Sequence, residues 1–244
     1  IAPAPVRLAT WVGYDIDGRT DIHWAETIRL RLAEKAAQLS RYAGRLDQLG
    51  AAALAARLAR AGKEAAAQAE LFGGDLNDAE QIVAAANRLT AEGPDRLVSL
   101  GPALADLDAL IASETGARRK QLCVLRSEMK ICGLGAGAIH LRVNPSQVRS
   151  AVQADLGLSA TADFMDRRAM DAAAERSAAA KREAVNFGAI FQEKMTARRQ
   201  LMLAAQIIKH IDADAPIRFL IAELEAPATI MGAIYLARLY GVAD

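Results

Sequence analysis

Three short runs rich in apolar and β-branched residues, "VRLATWV", "AIHLRV" and "IRFLIAEL", stand apart in a chain of 244 residues whose remainder reads as helix. Each run ends in turn-forming residues and is followed by a helical pattern. That scarcity of strands is the tightest constraint on the fold. Three strands cannot close a barrel by themselves. If parallel, they need further strands as neighbours and cover on both faces. The expected fold class is therefore mainly α, with long helices and about three short strands that belong to a larger α/β structure. Residues 1–244 are expected to form a single mostly helical domain.

The helical signal is periodic. From Thr20 to Leu49 the apolar positions Ile28, Leu32, Ala36, Leu39, Ala43 and Leu46 recur at steps of three and four, with Arg29, Arg31, Lys35 and Arg41 largely between them. After Gly50 the alanine-rich run continues helical, since alanine has the best helix propensity. Gly73 and Gly74 break it, and Asn77 or Asp75 is the expected cap of the next helix, which runs to about Thr90. Further helices are predicted over Pro102 to Ser113 and Ala117 to Ile131, the latter closed by the glycines of "CGLGAG". After the second strand, Pro145 suits a first helical turn with Asn144 as cap. "MDRRAMDAAAERSAAAKREAV" reads as an exposed helix or connection. A helical stripe returns through Phe191, Met195, Met202, Ala205 and Ile208, and a last helix follows Ala226-Pro227.

Charge excludes some partners. The 30 Lys and Arg nearly cancel the 29 Asp and Glu, leaving +1, so the balance points neither to nucleic acid nor to an anionic membrane. The pairs Arg118-Arg119, Arg167-Arg168 and Arg198-Arg199 lack interleaved aromatics and read as solvated helix faces. Cys123 and Cys132 read as reduced structural thiols. No apolar run approaches the roughly 18 residues that span a bilayer, and no signal peptide is recognisable, so a cytoplasmic protein is expected. The chain opens "IAPAP" without methionine, which suggests a piece of something longer.

The turn after the first run, "GYDIDG", carries Asp15 and Asp17. These carboxylates are either ligand-positioning groups or, with Gly18, a hydrogen-bonded turn leading into a helix. A calcium loop is excluded because the remaining oxygen positions and the closing glutamate are missing. Trp11 alternates with Arg7 on the first run and is expected in the core. Arg142, near the end of the second run, is either a fork for a phosphate or a strand-end arginine paired with a neighbouring carboxylate. His140 is expected to be packed or hydrogen-bonded, and His23 and His210 to lie on helix surfaces or ends.

Taken in order, "PVRLATWVGYDIDGRTD", "GAGAIHLRVNPSQVRSAVQADLG" and "IRFLIAELEAPATIMGAIYLARLYGV" resemble the middle part of phosphoenolpyruvate carboxylase. In that family the first stretch reads Ser-Trp-Met-Gly-Gly-Asp-Arg-Asp-Gly-Asn-Pro, and Trp11, Gly13, Asp15, Asp17 and Gly18 match it. The second reads Leu-Asp-Ile-Arg-Gln-Glu-Ser, with Arg142 at the arginine. The third reads Tyr-Val-Ile-Ser-Met and then Pro-Ser-Asp-Val-Leu before a helix, the shape followed by Phe219 to Leu224 and Pro227 to Gly241. The departures are Ile16 for arginine, Arg19 and Thr20 for Asn-Pro, and Val143, Asn144 and Pro145 for Gln-Glu-Ser.

The resemblance implies an α/β barrel of eight strands set among many helices, and a parent enzyme that converts phosphoenolpyruvate and bicarbonate to oxaloacetate and phosphate with Mg2+ or Mn2+. It assigns Arg142 to the phosphate of phosphoenolpyruvate, with Asp15 and Asp17 on the substrate side, and implies a homo-oligomer for the full-length protein. The family's Thr-Ala-His-Pro-Thr motif and its glycine- and arginine-rich loop do not occur here, and its metal carboxylates fall after the third motif. The segment is thus expected to be inactive alone. The alternative reading is a non-catalytic helical scaffold or partner-binding domain derived from that fold.

Overall fold

Ile139, Leu141 and Val143 are β-branched or apolar at every second position of the middle strand, the pattern that buries one face of a strand completely. The computed structural model describes residues 8–15, 22–224 and 226–243. In chain order the elements are β1 (Ala9–Thr10), α1 (Trp24–Gln48), α2 (Ala52–Leu71), α3 (Ala79–Thr90), α4 (Gly101–Ser113), α5 (Gly116–Cys132), β2 (Ala138–Val143), α6 (Pro145–Val152), α7 (Arg167–Ala178), α8 (Phe187–Gln192), α9 (Thr196–His210), β3 (Ile217–Ile221) and α10 (Pro227–Leu239). Helix accounts for 62% of the structure and the three strands form one parallel sheet in the order β1-β2-β3. The mainly helical expectation holds, with three short strands among the described residues.

The chain divides into two compact units. The first takes in residues 28–139 and 207–216 together with β1. Its core is built where α1, α2, α4 and α5 contribute Leu39, Leu46, Leu58, Leu107, Leu122 and Leu125, all without solvent exposure. Tyr42 joins them by donating its hydroxyl to the Gly133 carbonyl at 2.8 Å, which satisfies the one polar atom of an otherwise apolar side chain. Two cations expected between the apolar positions of α1 are buried: Arg31 is 1% exposed and Lys35 4%. The step of three from Ile28 to Arg31, and of four to Lys35, places both on the core-facing stripe rather than beside it.

The second unit comprises residues 11–27, 140–206 and 217–244. Here α10 packs on α7 and α6. Asp155, just past α6, accepts hydrogen bonds from Arg198 of α9 and, at 3.0 Å, from the Tyr235 hydroxyl of α10, while Arg198 also donates to the Ala151 carbonyl at 2.8 Å. Asn144 caps α6 as expected, with a full capping box: its side chain accepts from the Gln147 amide at 3.0 Å and the Gln147 side chain accepts from the Asn144 amide at 2.9 Å. Two local expectations are corrected. The cap of α3 is Asp78, which accepts from Glu80 N–H, while Asp75 instead closes a turn on Asn77. The stripe predicted from Phe191 to Ile208 is interrupted after Gln192. The most deeply buried face of α9 runs through Ala197, Leu201, Ala204 and Ile207; Met202 of the expected stripe is buried too, while Met195 is exposed.

Candidate active site residues at the sheet end

The two edges of β2 bond to different neighbours. On one side, the Ala138 amide donates to the Leu8 carbonyl and the Arg142 amide to the Tyr14 carbonyl. Ala9 pairs with Ala138 and Thr10 with Ile139, and beyond β1 Asp15 forms a further parallel bridge with Arg142. Between Thr10 and Asp15 the chain makes a turn in which the Tyr14 amide donates to the Trp11 carbonyl at 2.8 Å. Gly13 has φ +79° there, a conformation that side-chain-bearing residues seldom adopt. The buried hydroxyl of Thr27 donates to the Gly13 carbonyl at 2.6 Å and pins the turn. The outcome is that Asp15, five residues past the last ordinary strand pair, returns to register opposite Arg142.

Arg142 therefore sits at the C-terminal end of a parallel strand, the end at which α/β folds build their sites. Its guanidinium lies 3.6 Å from an Asp15 carboxylate oxygen, each side chain about 30% exposed (29% and 32%), and 5.3 Å from the centre of the Trp11 ring. Trp11, expected in the core from alternation, is instead 55% exposed, because the turn begins at it and lifts it out of the strand's pleat. Stacking over the arginine is the use the structure makes of it. The carboxylate neighbour that one sequence reading foresaw for Arg142 is Asp15. Asp17 lies outside the described residues.

His140 lies two residues before Arg142 on the same face of β2. Its Nε2 is buried and has no hydrogen-bond partner among the described residues. Packing was expected for this ring; the missing partner was not.

A cavity of about 320 Å³ lies within the first unit, lined by Arg31, Asp212, Asp214, Lys130, Cys132 and Gly133 among others. Arg31 donates to Asp212 at 2.6 Å and to the Gly135 carbonyl at 3.1 Å. Burial pushes the Asp212 carboxyl above its ordinary range, against the opposing pull of Arg31. Asp214 accepts from the Leu100 amide at 2.7 Å and from the Ser99 hydroxyl at 2.9 Å, and so caps α4. These side chains hold one another and the helix end. Sequence reasoning missed them, and the only hint was the phase of Arg31 on the α1 stripe.

Cys123 and Cys132 are both unbonded, with Cys123 exposed. Among the described residues no group of three or more His, Cys, Asp or Glu could hold a metal ion, and no helix is long and apolar enough to cross a membrane. No family model matches the chain, and no curated protein matches it.

Proposed function

We propose that this chain is the central portion of a phosphoenolpyruvate carboxylase-like enzyme, which forms oxaloacetate and phosphate from phosphoenolpyruvate and bicarbonate. The observation that supports the reading is the meeting of Asp15 and Arg142. They come from two separate stretches that resemble the family, about 130 positions apart in the chain, and face each other at a strand end. In this reading Arg142 holds the phosphate through paired N–H donors, a geometry for which a guanidinium is suited. Asp15 and the Trp11 ring hold the guanidinium in place while it waits for substrate. The pair is long and about one-third exposed, so a phosphate can compete for the arginine without breaking a fully buried ion pair. The enolate of such a reaction needs a cation beside its oxygen. The ligands for Mg2+ or Mn2+ would come from outside this segment, so the segment supplies a phosphate-binding arginine and helical scaffold and is inactive alone.

Calorimetric titration with phosphoenolpyruvate tests the reading. Binding to the chain is expected, and Arg142→Ala should weaken it at least tenfold, the loss of about 1.4 kcal/mol or more that follows from removing a charge-assisted contact. Absence of binding by the unaltered chain, or binding indifferent to Arg142, overturns it and leaves the scaffold reading.

A further inference from the structure

The hydrogen bonds of the sheet set a register that brings a second cation to the same face. The Ile139 amide donates to the Pro216 carbonyl, and the Ala222 amide to the Val143 carbonyl. In a parallel ladder those two bonds place residue 217 beside 139 and residue 221 beside 143. Arg218 is then the neighbour of His140, and Leu220 the neighbour of Arg142, all on the face opposite buried Ile139, Leu141 and Val143. Adjacent strands lie about 4.8 Å apart, well within the reach of an arginine side chain. Arg218 is exposed and makes no ion pair or hydrogen bond among the described residues.

Beside it His140 stands on the same face of β2, its Nε2 buried and without a hydrogen-bond partner among the described residues. A buried polar atom without a partner is uncommon and calls for an explanation. Among the described residues, the carboxylate that the register places opposite Arg142, two positions along the strand, is Asp15. The family that the chain resembles has an aspartate where His140 stands, and a carboxylate there would neutralise Arg218. The imidazole carries no negative charge, and its Nε2 donates to an anion whenever that nitrogen bears the proton, as it always does in the protonated ring.

We propose that His140 and Arg218 form an anion subsite next to that of Arg142, so that the natural ligand is a small compound with two anionic groups, at least one of them a phosphoryl group. The subsite goes beyond the carboxylase reading, since the resemblance assigns no ligand to either residue. It requires only the register of the sheet and the face of β2.

The test uses the whole chain with 15N-labelled histidine and inorganic phosphate as the probe. Phosphate should move the His140 ring nitrogen signals along a saturable curve. In Arg218→Ala the apparent Kd should rise at least tenfold, and in Arg142→Ala the His140 response should survive. Arg218 is exposed, so that variant keeps its fold, which circular dichroism verifies. His140 signals unmoved by phosphate, or moved equally in Arg218→Ala, overturn the subsite. Phosphate binding that depends on Arg218, together with phosphoenolpyruvate binding indifferent to Arg142, upholds the subsite while the carboxylase reading falls. The converse, phosphoenolpyruvate binding that needs Arg142 but leaves the His140 signals in place, overturns the subsite alone.

Discussion

Arg31 and Asp212 are 181 positions apart in the chain and meet at 2.6 Å, with 1% and 2% of their side chains exposed. Around them Arg31 also reaches the Gly135 and Gly137 carbonyls and Glu34. One guanidinium thus ties α1 to the loop before β2 and to the segment after α9. Removing either partner leaves a charge buried without compensation, which costs about 3 to 5 kcal/mol, whereas replacing both by apolar residues restores much of the loss. Urea unfolding of Arg31→Met, Asp212→Leu and the double variant should show the two singles strongly destabilised and the double closer to the unaltered protein than their sum.

Gly135→Ala should reproduce the effect of losing Arg31 without touching a charge. A methyl group at position 135 would fall 1.9 Å from Arg31 Nη1, so the guanidinium must leave its carbonyl and its carboxylate. A thermal midpoint as low as that of Arg31→Met is expected, and a midpoint equal to that of the unaltered chain would show that the guanidinium relocates freely.

Lys35 donates to the Ile211 carbonyl at 2.9 Å from a position 4% exposed, and burial lowers its ammonium to about 8 from an ordinary 10.5. The unfolded chain holds this proton up to 10.5 and the folded chain only up to about 8. Between those values the unfolded state binds more protons, so stability rises with pH across that window. Below pH 8 the full penalty, roughly 3 kcal/mol, is present. Denaturant unfolding at pH 7 and pH 9.5 should show a gain in stability for the unaltered protein that Lys35→Met lacks.

His210 carries a sensitivity of the same sign in a lower pH window. Burial, helped by Lys209 and Arg96, lowers its imidazole to about 4, and the Arg96 guanidinium donates to its Nδ1 at 3.3 Å, a bond that needs an unprotonated ring. As pH falls from 6.5 towards 4 the unfolded chain takes up a proton that the folded chain refuses, and stability declines. His210→Gln keeps an acceptor for Arg96 and does not titrate. Its thermal midpoint should fall less than that of the unaltered protein between pH 6.5 and 5.

Legibility followed the range of the interactions. The cap at Asn144 could be read directly because it and the Pro at the first helical turn act within a few residues, whereas the reciprocal bond from Gln147 was added by the structure. Most helix boundaries were near their expected places for the same reason. The buried role of Arg31 was not legible, because its counterion stands far along the chain and a cation on an apolar stripe has no local explanation. Trp11 misled for another reason: alternation holds only while the strand continues, and Gly13 bends the chain just there. At the site, Arg142 and Asp15 were legible as candidates through the resemblance, whereas the face shared by His140 and Arg218 depends on a pairing register that no single segment contains.

The alternation along β2 has a consequence for how such a protein can change over generations. Ile139, Leu141 and Val143 are fully enclosed, so substitutions there are tested against folding. His140 and Arg142 stand on the other face, so under the proposed binding role substitutions there are tested against what is bound. One short strand therefore keeps two ledgers apart by parity alone. New ligand preferences can be sampled at the even positions while the odd ones hold the architecture, and a single-residue insertion, which exchanges the two sets, is the change that lineages of this chain should never tolerate.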